Sequence, residues 1–119
     1  VAGVGEVLIG YQVHGEVGPL VLLAPGGVLA ELGGERSTRL APVDLATARE
    51  MIGEVGALRA LAGFRDRPEG DLDALAQAIV DLSGLAHRPE IVEAEINPLI
   101  VRRRGSGGIA VDALVRCRV

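Results

Sequence analysis

One stretch of the chain concentrates side-chain oxygens at regular spacing. It reads Ile91-Val92-Glu93-Ala94-Glu95-Ile96-Asn97-Pro98-Leu99-Ile100-Val101. On a β-strand Glu93, Glu95 and Asn97 share one face, and Val92, Ala94 and Ile96 share the other. Carboxylate and amide oxygens backed by an apolar face suit a hard cation such as Mg2+. Beyond a Gly-rich turn at Arg104-Gly105-Ser106-Gly107, Asp112 returns toward the same strand. A hairpin centred on that turn places Asn97 opposite a residue between Asp112 and Leu114. Cross-strand neighbours, diagonal ones included, come within ~4.5–8 Å of each other. Asn97 and Asp112 then reach one ion together, provided they share a face; a one-residue slip destroys the pairing. Pro98 is expected to force a bulge and re-aim Asn97. The residues alone leave two alternatives open: a divalent-cation site, or a solvated polar face on an edge hairpin.

The elements that position these residues follow from the rest of the pattern. Glu6 to Val13 and Pro19 to Ala24 read as two strands joined by a turn at His14-Gly15-Glu16-Val17-Gly18. Pro25-Gly26-Gly27 breaks the pattern, with further strand segments at Val28–Leu32 and Ser37–Ala41. Gly26, Gly27, Gly33 and Gly34 supply corners, or backbone that a ligand can approach closely. Asp44 is placed to N-cap a helix carrying Leu45, Ala48, Ile52 and Val55 at helical spacing. That helix weakens at Gly56 and resumes through Leu58 and Leu61. Asp71 caps a second helix whose apolar face is Leu72, Leu75, Ala76, Ile79 and Leu82, ended by His87-Arg88-Pro89. The expected fold is α+β. A mostly antiparallel sheet, with strands near 5–13, 19–24, 28–41, 91–102 and 109–117, is covered on one face by the two helices.

Composition excludes several classes of function. The chain has 119 residues, enough for a single domain over 1–119 with a modest core. It is 49% hydrophobic and 24% charged, which is globular rather than disordered. One Tyr and one Phe leave no surface for base stacking, and a net charge of −4 opposes a phosphate-backbone binder, so no nucleic-acid partner is expected. The single cysteine, Cys117, excludes an internal disulfide and fits a reducing cytoplasm as a small apolar filler. No apolar run reaches the ~18 residues of a membrane span, and no signal peptide is visible. All 12 basic residues are arginines. Nucleotide-activating enzymes commonly add a lysine as a point charge on phosphate, so either the chain does no nucleotide chemistry alone or that lysine lies elsewhere.

Glu95-Ile96-Asn97-Pro98-Leu99-Ile100-Val101, followed by Ala110-Val111-Asp112-Ala113, resembles the end of the ATP-grasp domain of NDP-forming acyl-CoA synthetases, such as ADP-forming acetyl-CoA synthetase and, more distantly, the β subunit of succinyl-CoA synthetase. The resemblance extends along the chain through Glu6-Val7-Leu8-Ile9-Gly10, Gly18-Pro19, Gly26-Gly27, Glu31, Arg39-Leu40-Ala41-Pro42 and Gly63-Phe64-Arg65. It departs at Pro25, where the family has an apolar residue or glycine. It implies an enzyme that interconverts acid, CoA and ATP with acyl-CoA, ADP and phosphate through a phosphohistidine. It also implies ATP or ADP held with Mg2+ between two α+β halves. By the same resemblance Asn97 and Asp112 are the metal ligands, with Glu95 a further candidate, and Glu31, Arg39 and Arg65 contact nucleotide or phosphate.

This chain matches the second half of such a domain. The first half, with a phosphate-binding lysine, and the CoA and ligase domains are expected outside it. The chain alone is expected to be inactive as a ligase, with CoA and the carboxylic acid bound elsewhere, and to self-associate through the surface left exposed. His14 and His87 lack the setting of a phosphoryl acceptor, and Arg102-Arg103-Arg104 reads as a solvated run. The alternative function is a non-catalytic regulatory module of the kind fused to protein acetyltransferases, and a third reading is a dimerisation domain with a decayed metal site.

Overall fold

The computed structural model describes residues 5–26, 35–58 and 69–118. Among the described residues six strands and two helices follow in the order β1 (Gly5–His14), β2 (Gly18–Pro25), β3 (Ser37–Leu40), α1 (Leu45–Glu54), α2 (Leu72–Ser83), β4 (Ile91–Val101), β5 (Gly108–Ala110) and β6 (Ala113–Cys117). The strands form one antiparallel sheet in the order β3-β2-β1-β4-β5, with β6 also paired to β4. The α+β expectation holds. The segment at Val28–Leu32 and the continuation of the first helix toward Leu61 lie outside the described residues.

The two faces of the sheet differ because side chains alternate. Val7, Ile9, Val21, Leu23, Leu99 and Val101 face the helices and join Ala48, Met51, Val55, Leu75, Ala76 and Ile79 in one core. Each Val, Leu, Ile or Met side chain among them that is removed from water contributes on the order of 1.5–3 kcal/mol. Leu8, Gly10 and Gln12 of β1 and Leu20 and Leu22 of β2 point the other way, and neither helix covers them. Within α1, Leu45 is not a core residue: it lies in the first turn, ahead of the contact with the sheet, and is 41% exposed. Met51 takes the buried position instead.

Both helix starts are capped as the sequence predicts. The Asp44 carboxylate accepts from Thr47 N–H and the Asp71 carboxylate from Ala74 N–H. The first helix ends at Glu54, and a 3₁₀ turn at 56–58 follows. The α2 helix tightens into a 3₁₀ turn over Gly84–His87. Ser83 is fully buried and polar; its hydroxyl donates to the Val80 carbonyl and accepts from Val43 N–H, which ties the end of α2 to the segment entering α1. No helix among the described residues is long and apolar enough to cross a membrane.

At Gly26 the close approach comes from the protein's own backbone. Its N–H donates to the Glu6 carbonyl, and a Cβ there would stand 2.9 Å from Val7 N and 3.0 Å from Glu6 C. Backbone atoms of a central strand cannot yield cheaply. Gly26→Ala is expected to destabilise the fold by about 1–3 kcal/mol, measurable as a lower urea midpoint with an unchanged slope.

Candidate metal and nucleotide site

Asn97 and Asp112 meet where the β4 ladder is interrupted. Ile96 pairs with Ala113 on one side and Leu99 with Ala110 on the other, so the register runs on continuously and sets Asn97 opposite Asp112. Asn97 N–H donates to the Asp112 carbonyl at 3.1 Å, and Val111 N–H donates to the Pro98 carbonyl at 3.0 Å. Pro98 has no N–H to return. That missing donor explains a departure from expectation: the single strand expected at 109–117 is two, β5 and β6, separated by Val111 and Asp112. On the β1 side the register shifts between Val7 and Ile9, with Asn97 and Pro98 on β4 spanning the one β1 residue between them. The bulge expected at Pro98 is present. It returns Leu99 to the core face while leaving Asn97 on the open face beside Glu95.

The open face carries two adjoining troughs. One, about 280 Å³, is lined by Glu95, Asn97, Asp112, Ala113 and Leu114. The other, about 410 Å³, has an apolar floor of Leu8, Leu20, Leu22 and Ala24 around Gly10. Gln12, Arg36, Thr38, Glu93 and Glu95 supply its polar rim. Glu95 borders both troughs and so joins them.

Asn97 Oδ1 is buried and accepts no hydrogen bond. An orphaned buried acceptor is disfavoured unless a partner is supplied. Among the described residues no three His, Cys, Asp or Glu side chains come together to hold a metal by themselves. Two hard oxygen donors with an unmet acceptor fit an Mg2+ ion that brings its remaining ligands with it, as waters or phosphate oxygens.

The other sequence candidates separate. Glu31 and Arg65 lie outside the described residues. Arg39 is not brought to the troughs. It pairs across the sheet with Val21, a core residue, and so projects to the helix face. There its guanidinium is bound to the Glu54 carboxylate, which also accepts from Ser37 Oγ. The hydrogen bonds from Arg39 and Ser37 hold the Glu54 carboxyl below its ordinary range, and the bond to Glu54 raises Arg39. Arg39→Ala is expected to lower the melting temperature slightly and leave Mg-ADP affinity within about twofold, since the pair is largely exposed; paired thermal and calorimetric titrations check this. Among the described residues, the basic side chain lining the trough is Arg36. Strand parity carries the signal, since Arg36 and Thr38 share the face opposite to Ser37 and Arg39. Gln12, cross-strand to Glu93, was equally readable from alternation along β1. Glu93 itself receives Arg116 Nε at 3.4 Å across the β4–β6 ladder.

The antiparallel sheet with two helices on one face matches an ATP-grasp subdomain. Residues 2–117 match the ATP-grasp domain family, and the chain belongs to it. The chain is 38% identical over 109 residues to the β subunit of Pyrococcus furiosus acetate–CoA ligase (ADP-forming) I, covering 91% of this chain and 46% of that one. It is 35% identical over 106 residues to Archaeoglobus fulgidus acetate–CoA ligase (ADP-forming) I, covering 88% of this chain and 16% of the other. Among solved structures, the dinucleotide-forming acetyl-coenzyme A synthetase 1 of Ca. Korarchaeum cryptofilum superposes with a TM-score of 0.90 at 33% identity. That match covers 99% of this chain and 55% of that chain, which was solved with coenzyme A and Mg-AMPPCP. The chain therefore spans about half the length of the P. furiosus β subunit and a smaller share of the single-chain enzyme.

Proposed function

We propose that this chain is the Mg-nucleotide-binding part of an NDP-forming acyl-CoA synthetase, which converts a carboxylic acid, CoA and ATP into acyl-CoA, ADP and phosphate. The observation that carries the reading is the register-matched pair of Asn97 and Asp112 with an unsatisfied buried oxygen on an uncovered sheet face. The ADP-forming relatives supply the reaction class.

The residues divide the work. Asn97 Oδ1 and the Asp112 carboxylate hold the ion, and Glu95 faces the same space from the joint between the troughs. The apolar floor takes the less polar parts of the nucleotide, while Arg36 offers a positive charge at its rim. Glu31 and Arg65 keep their assignment to nucleotide or phosphate from the family resemblance. The ion, when bound, neutralises phosphate charge and aligns the transferred group. CoA and the acid bind to parts of the protein beyond these residues, and the 119-residue chain by itself makes no acyl-CoA. Self-association is supported by Val111, Leu114 and Val115, which stand 55–57% exposed at one edge of the sheet.

The deciding assay follows the nucleotide product of the full-length protein. ADP and phosphate released only when both CoA and an acid are present support the reading. AMP and pyrophosphate as products, or turnover independent of CoA, overturn it.

A further inference from the structure

Packing does not explain the glycine at position 10 on the trough floor. It sits mid-strand in β1, cross-strand to Leu22 on β2 and to Glu95 on β4. It therefore lies at the centre of the uncovered face. Glycine weakens a strand interior because its backbone loses more freedom on folding and it offers no side chain to pack. Two structural reasons for a glycine are missing here. Its φ is not among the positive values of the chain. A Cβ would meet only Leu22 Cδ2 at 3.7 Å, Leu22 Cβ at 3.8 Å and Leu8 Cδ2 at 3.8 Å, which are ordinary contacts. The contrast with Gly26 is direct, since there a Cβ would run into backbone at 2.9 Å. A side chain at Gly10 would instead stand in the trough of about 410 Å³, beside Glu95, where that trough joins the Asn97–Asp112 site.

We propose that Gly10 is a positioning residue for the nucleotide: its bare backbone sets how deeply a Mg-nucleoside diphosphate or triphosphate lies on the sheet, and so whether its ion reaches Asn97 and Asp112. The inference rests on the function proposed above and adds a residue to it. A methyl or isopropyl group at this point lifts the ligand off the floor, and the oxygen donors at Asn97 and Asp112 then lie too deep to be used.

The test uses the full-length protein with Gly10→Ala and Gly10→Val, each also combined with Asp112→Ala, read by melting temperature and by calorimetric titration of ADP with Mg2+. Valine is favoured in strands, so the melting temperature is expected to hold or rise. The Kd for Mg-ADP is expected to rise with side-chain size, by about tenfold or more for valine. In the Gly10→Val background Asp112→Ala is expected to add little, because the ion contact is already lost. A role confined to stability would not produce that non-additivity. Should valine lower the melting temperature, Gly10→Ala carries the test with the same expected sign and a smaller rise. Unchanged affinity in the Gly10 variants, or fully additive effects with Asp112→Ala, overturns the inference while leaving the nucleotide site standing. Wild-type protein that binds no Mg-ADP overturns both.

Discussion

Asp112→Ala is expected to weaken Mg-ADP binding by the full-length protein at least about 100-fold, or ~2.7 kcal/mol, without lowering the melting temperature. In the function proposed above, the Asp112 carboxylate and the Asn97 amide oxygen are the protein groups offered to the ion. Changes even to groups that only support metal ligands commonly cost 10–100-fold in metal affinity. The fold, in contrast, uses the Asp112 backbone carbonyl, which accepts from Asn97 N–H and survives truncation to alanine. Titration with ADP and EDTA should give equal affinities for the wild type and the variant, since the loss belongs to the ion. Asn97→Ala sharpens the contrast. It removes a buried acceptor without a partner, so stability should hold or rise while Mg-ADP binding falls. A fall in both together would mean that Asn97 is structural.

Asp71→Ala is expected to be among the most destabilising single changes outside the core, at about 2–4 kcal/mol. Its carboxylate caps α2 through Ala74 N–H at 3.0 Å, and its second oxygen accepts from Gly105 N–H at 3.1 Å and Gly107 N–H at 2.7 Å. Gly105 and Gly107 adopt φ of 86° and 77° in the turn between β4 and β5. Asp71 thus locks the start of a helix to the turn that fixes the Asn97–Asp112 register. The bonds from Ala74 and Gly107, then Gly105, hold its carboxyl below the ordinary value of 3.8. A group whose pKa is lower in the folded than in the unfolded chain contributes stability that is complete above the unfolded value. That contribution is lost as pH falls from about 4 through the folded value. Chemical denaturation between pH 7 and pH 3 should show this loss in the wild type and a smaller one in Asp71→Ala. Asp71→Asn should recover only part of the stability, because one amide oxygen cannot replace two carboxylate oxygens accepting three N–H groups.

The juxtaposition of Asn97 and Asp112 was partly legible from two local rules. Alternation along β4 puts Glu95 and Asn97 on one face, and the turn narrows the residue opposite Asn97 to one between Asp112 and Leu114; the structure sets it at Asp112. Pro98 announces its bulge through its missing N–H. Other features had no local signal. Asp71 reads as a helix cap, yet the two amides that complete its role lie 34 and 36 residues away. Arg39 is named from its family position, and a strand drawn over 28–41 does not define the parity that sets Arg36, and not Arg39, on the trough face. The burial of Ser83 has no local signal, because its partners at Val43 and Val80 are set by the packing of α2 against the entry to α1. Family resemblance suggested the roles proposed for Asn97 and Asp112, and the orphaned Asn97 oxygen is a physical observation that supports them.

The central claim is that the uncovered face of the sheet holds a nucleotide-borne ion between Asn97 and Asp112. Paramagnetic broadening of 15N-labelled 119-residue chain by Mn2+ with excess ADP reads the ion's position directly, even at low affinity. Amide signals of Glu95, Asn97, Ala113 and Leu114 are expected to disappear first. Those of the helix face, such as Ala48 and Ile79, should persist, and the whole pattern should be abolished by Asp112→Ala. Broadening centred on the helix face, or an unchanged pattern in the Asp112 variant, would contradict it.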